Sequence, residues 1–188
     1  MLFLKNDYFY IMENQFITQL IKSNASTNSR NYLFELVTKN NELLPYLINF
    51  GFDISQKEHH KGIWIMERIA EKKAHILYPF LDIICNQCKN ITNKSATRGL
   101  SRTFLFISTH LELNENQEEK IIEKCLDWLI SEERVACKAY AIRALFYFSK
   151  KQTWLKEELT TILESDYNKH TAAYKAVARE ILMKLKKS

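Results

Sequence analysis

QEEKIIEKCLDWLI (117–130) runs into ERVACKAYAIRALFYFSKK (133–151), and WLKEELTTILES (154–165) then runs into TAAYKAVAREILMKLKK (171–187). Each segment repeats its apolar residues at intervals of three and four, the period of an amphipathic helix. Moving the last segment back by 36 residues places Arg179 on Arg143, Ile181 on Leu145 and Leu182 on Phe146. A period of this length belongs to stacked helical hairpins, each of which needs its neighbours to bury its apolar face.

The same period extends toward the N-terminus. Pro45 and Pro79 lie 34 residues apart, each followed by an aromatic residue and a leucine. Both are expected in the first turn of a helix, where a missing N–H costs least. This spacing predicts four hairpins, at 42–73, 76–113, 117–151 and 152–187, preceded by a shorter capping pair whose helical period starts at Phe16. Asn28 or Ser29 is expected to cap the second helix of that pair, and Gly51 to close the helix that follows. Residues 1–11 precede the first clear period, and Met12 offers a second start. They are expected to be an extension of a single domain spanning 12–188.

Composition supports an all-α chain. Apolar residues make up 46%, while three Gly and two Pro supply few breaks for turn-rich β architecture. No run approaches eighteen uncharged apolar residues, and Lys5 and Asp7 interrupt the apolar opening, so neither a membrane span nor a signal peptide is expected. A soluble cytoplasmic protein with reduced thiols at its four cysteines is the expectation.

With hairpins of this length, the chain resembles the HEAT and armadillo class of helical repeats. The resemblance implies a right-handed solenoid with first helices on the convex side and second helices on the concave side. LYPFLD (77–82), CLDWLISEERVACKAYAIRALF (125–146) and HTAAYKAVAREIL (170–182) also resemble a small family of helical-repeat proteins that often carry an adenylosuccinate lyase label. That lyase superfamily is known for a much longer helical chain and a Ser-Ser-x-Met-Pro-x-Lys-x-Asn loop. Neither occurs here, since both prolines lie in Leu-Pro-Tyr and Tyr-Pro-Phe.

Motifs for chemistry are sparse. Cys85-Asn-Gln-Cys88 has the spacing of half a zinc site, but Cys125, Cys137, His75 and His110 offer no second pair. The pair ends an apolar helix, where the helix dipole disfavours a thiolate, so small buried residues are expected and no metal. His59 and His60 point about 100° apart on a helix and read as a solvated start. No P-loop, nucleophile elbow or glycine-rich turn is present. Trp64, Trp128 and Trp154 read first as packing residues, with an exposed one available as a stacking surface. The carboxylates between Glu115 and Glu133 read as a solvated face.

Charge is distributed unevenly between the helices of each hairpin. The four first helices carry net charges of −2, 0, −5 and −3, and the second helices +2, +2, +5 and +4. If the second helices line the concave side, Lys61, Arg68, Arg98, Arg102, Lys138, Arg143, Lys175 and Arg179 are expected on one continuous positive surface. The bland alternative is that these cations only solvate helix ends. Three functions follow, in order of preference. The first is a binding or scaffold module for another protein, through an acidic segment. The second is a nucleic-acid-binding module, and the third an enzyme. No catalytic residue, cofactor or membrane contact is expected.

Overall fold

The computed structural model describes the backbone of residues 2–187 and the side chains of residues 12–187. Its helices pair as expected. Helices α1 (Leu2–Lys22) and α2 (Thr27–Lys39) form the leading pair, and four hairpins follow. These are α3 (Leu44–Phe52) with α4 (His60–Lys73), α5 (Leu81–Gln87) with α6 (Lys94–His110), α7 (Glu115–Ile130) with α8 (Val135–Ser149), and α9 (Thr153–Asp166) with α10 (Ala172–Leu185). No strand occurs among the described residues.

Local chemistry sets the boundaries, and in places it departs from expectation. Ser26, rather than Asn28 or Ser29, caps α2 by accepting a hydrogen bond from the Ser29 amide. Asn114 and Gln117 form a reciprocal capping box, so α7 opens at Glu115, two residues before the expected start. Pro45 lies in the first turn of α3, but Pro79 lies in a 3-10 segment, Ala74–Phe80, that precedes α5. Gly51 lies inside the last turn of α3 with no positive φ, so it is not a left-handed cap. The backbone of α1 is helical from Leu2, ahead of the period that begins at Phe16. Whether residues 1–11 pack on the domain lies outside the described side chains.

The two layers differ in tightness. The second helices stack in order, α4 on α6, α6 on α8 and α8 on α10, along much of their lengths, whereas first helices touch over shorter runs. In a curved double layer the closer-packed layer is the inner one. Small residues bring this layer together: Gly62, Ala70, Ala96, Gly99, Ser101, Ala141, Ala144 and Ala178 are all buried. A Cβ added at Gly62 would lie 2.8 Å from the Gly51 Cα, backbone against backbone, so glycine is required where α3 crosses α4. Gly51 is there for close approach.

Larger side chains fill the space between the layers. Phe16, Leu47, Phe104, Trp128, Phe148 and Tyr174 are buried, and the Phe104 and Trp128 rings lie 5.6 Å apart. All four cysteines are free and buried in this core. Burial pushes the Cys85 and Cys137 thiols up to about 12 and Cys88 to about 11. Cys88 donates its thiol proton to the Cys85 carbonyl at 3.1 Å. Protonated thiols bonded into a helix are poor metal ligands and weak nucleophiles. His59 is buried too, its Nδ1 3.0 Å from the Gly51 carbonyl, which corrects the expectation of a solvated pair. His60 is partly covered and packs edge-on against Trp64, and burial lowers its pKa.

Candidate binding face

Accessible positions on the second helices recur at helical spacing and form one stripe per helix. On α4 the stripe is Lys61, Trp64, Arg68 and Lys72; on α6 it is Lys94, Arg98, Arg102, Phe106 and Thr109. On α8 it is Ala136, Tyr140, Arg143, Tyr147 and Lys150, with Phe146 beside it. These stripes make up the accessible surface of the second-helix layer. They carry cations and aromatic rings together.

The cations are largely engaged. Glu67 on α4 is only 3% exposed and accepts a 2.7 Å hydrogen bond from Arg102 Nη1, while Arg98 stands 3.6 Å from its other oxygen. Arg102 Nη2 reaches Glu71 at 2.6 Å. Burial opposes the Arg102 charge, but the Glu67 and Glu71 carboxylates more than compensate and hold its pKa above the usual guanidinium range. Two hairpins further on, Arg143 pairs with Glu180 at 2.7 Å, and Lys184 shares the same carboxylate. Lys94 pairs with Glu133 at 3.0 Å.

The remaining members of the expected positive surface divide further. Lys61 donates to the Ile21 carbonyl and pairs with Glu58, tying α4 to the end of α1. Lys138 is 5% exposed and donates to the Leu129 carbonyl at 2.8 Å, so it closes the C-terminal end of α7 inside the hairpin. It cannot meet a ligand there. Arg68 is half-buried, and its Nε has no hydrogen bond. Arg179 is exposed and donates to the Tyr167 hydroxyl at 2.9 Å, with Lys175 above the same ring. Thus Arg98, Arg102 and Arg143 stand near the surface as members of ion pairs. Arg68, Lys175 and Arg179 are the cations on the expected list that meet solvent without a carboxylate ion pair among the described residues.

Aromatic rings complete the face. Arg102 stands 5.1 Å from the Phe106 ring and 5.8 Å from Tyr140, and Lys150 stands over Phe146 and Tyr147 at 5.2 and 5.6 Å. The result is a half-buried aromatic strip bordered by cations. The charge count included Glu67, Glu71 and Glu180 but not their pairing with the arginines, yet a signal for that pairing exists. Glu67 and Arg102 lie 35 residues apart, and Arg143 and Glu180 lie 37 apart. Opposite charges one repeat apart sit on neighbouring helices of the same layer, where they can pair.

Among the described residues, no group of three or more metal-ligating side chains gathers and no helix is long and apolar enough to cross a membrane. A family model for the HEAT repeat domain matches residues 16–185. No curated protein and no solved structure matches the chain significantly.

Proposed function

Because the chain belongs to the HEAT repeat domain family, we propose that it is a non-catalytic binding module whose inner face holds an acidic segment of a partner protein. The observation that carries this reading is the strip of Phe106, Tyr140, Phe146 and Tyr147 with Arg102 and Lys150 over its rings. A peptide groove needs apolar surface beside charge, and the strip supplies it. Phosphate binding is less well served. Arg98, Arg102 and Arg143 already hold carboxylates that a phosphate would have to displace. Lys175 and Arg179 lie beside Tyr167 at the C-terminal end of the stack, where an acidic side chain finds cations without carboxylate partners.

A labelled acidic peptide containing two leucines and a labelled DNA duplex separate the two ligand classes by fluorescence anisotropy. The peptide should bind with a shallow salt dependence. Lys175→Glu with Arg179→Glu should weaken it about tenfold without changing the melting temperature, since exposed charges contribute little to folding. Tighter binding of the duplex, falling with salt on a log–log slope of several units, would instead establish a nucleic-acid module.

A further inference from the structure

The outer layer carries a feature of the opposite sign. An open groove of about 500 Å³ lies between α7 and α9, with Ile122, Leu126 and Trp154 beside Gln152 and four glutamates: Glu115, Glu118, Glu119 and Glu123. Its walls are apolar and its rim is acidic. Trp154 is 54% exposed, unlike Trp128, which is 2% exposed in the core, and Trp64, which bonds Ser95.

Packing and helix chemistry account for only part of this acidity. Glu115 and Glu118 lie in the first turn of α7, where negative charge complements the helix dipole. Glu118 also pairs with Lys151 at 3.1 Å. Glu119 and Glu123 have neither explanation. Glu115, Glu119 and Glu123 follow one another at four-residue spacing, so like charges repel along one stripe of the helix. None of the three has an ion-pair partner among the described residues. A tryptophan half in water and a self-repelling acidic stripe both lower the stability of the isolated fold. Both would be relieved by the same occupant.

We propose that this groove binds a basic amphipathic segment of a partner protein. One bulky apolar side chain would lie against Trp154, Ile122 and Leu126, and flanking Lys or Arg residues would meet Glu119 and Glu123. Charge complementarity selects the sign of the partner, and the volume of the groove suits one anchoring side chain with its neighbours. This surface faces away from the aromatic strip of the inner layer. The two sites therefore stand or fall separately.

The test uses the full chain and a labelled twelve-residue peptide with a central leucine flanked by lysines. The same peptide with serine in place of leucine is the control. Wild-type protein should bind the leucine peptide at least tenfold more tightly than the serine peptide. Trp154→Ala should abolish that preference. Glu119→Gln with Glu123→Gln should weaken binding at least tenfold and raise the melting temperature, because the repulsion on α7 is removed. The rise in melting temperature shows that the variant is folded. Equal affinity for the two peptides, equal affinity of wild type and variants, or no binding at about 1 mM peptide would overturn the proposal.

Discussion

The two halves of the stack use the same kind of ion pair in different surroundings. Between α4 and α6, Glu67 is 3% exposed and sits between Arg98 and Arg102; between α8 and α10, Glu180 is 38% exposed and sits between Arg143 and Lys184. Glycine makes the difference. All three glycines, Gly51, Gly62 and Gly99, lie in the first two hairpins, on α3, α4 and α6. A Cβ at Gly99 would come within 3.0 Å of Ile63 Cγ2 and 3.3 Å of Glu67 Oε2. Close helix approach thus excludes water from Glu67, whereas the C-terminal half keeps its pair wet. The half whose repeat is easiest to read is the half that is less tightly closed.

The largest expected effect tests that closeness. Gly62→Ala should destabilise the fold by about 3 kcal/mol or more in urea unfolding, since the new methyl meets the Gly51 backbone rather than a mobile side chain. Gly51→Ala is the internal control. Its Cβ would lie 3.4 Å from its nearest neighbours, an ordinary contact, so a cost near that of Gly62→Ala would break the account of the α3–α4 crossing.

Arg102→Ala should come next, at about 2 kcal/mol. A buried carboxylate stripped of its partner costs about 3–5 kcal/mol, and Arg98 remains close enough to offset part of this. Arg143→Ala removes the corresponding pair in the wet half and should cost no more than about 1 kcal/mol. Equal losses would show that burial does not separate the two interfaces. Lys138→Gln sharpens the same division from the inside. It should lower the melting temperature, because the Leu129 carbonyl loses a charged donor, and leave acidic-peptide affinity within about twofold.

The smallest effect is one of pH. The hydrogen bond from Lys184, and the Arg143 charge nearby, hold the Glu180 carboxyl below its usual 4.5, against a weaker opposing effect of burial. Its folded value is below its unfolded value, so the stability it contributes is present above about 4.5 and lost as pH falls through the lower folded value. For a carboxylate this exposed the contribution is under about 1 kcal/mol. Wild type should therefore lose slightly more stability between about pH 6 and pH 3 than Arg143→Ala with Lys184→Ala. Identical acid limbs would remove Glu180 from the account.

Periodicity alone determined much of this protein. Apolar residues at three- and four-residue spacing, repeated about every 36 residues, require helices that must stack, and the observed hairpins follow those segments closely. The sign of each layer was equally legible, because a helix keeps its charges wherever it is placed. Helix ends were less so: Ser26, Asn28 and Ser29 are all competent caps, and choosing among them depends on where the preceding helix delivers the chain. What each cation does was decided only by tertiary structure. Arg102 and Arg179 look alike in a charge count, but one lies opposite two glutamates on a neighbouring helix and the other opposite a tyrosine hydroxyl. Lys138 has the sequence appearance of a surface cation and instead closes a helix end inside the core. Trp128 and Trp154 are both tryptophans of first helices, yet one is buried and the other half exposed. A period specifies which face of a helix turns inward, while the distance to the next helix decides whether a side chain there meets a partner or water.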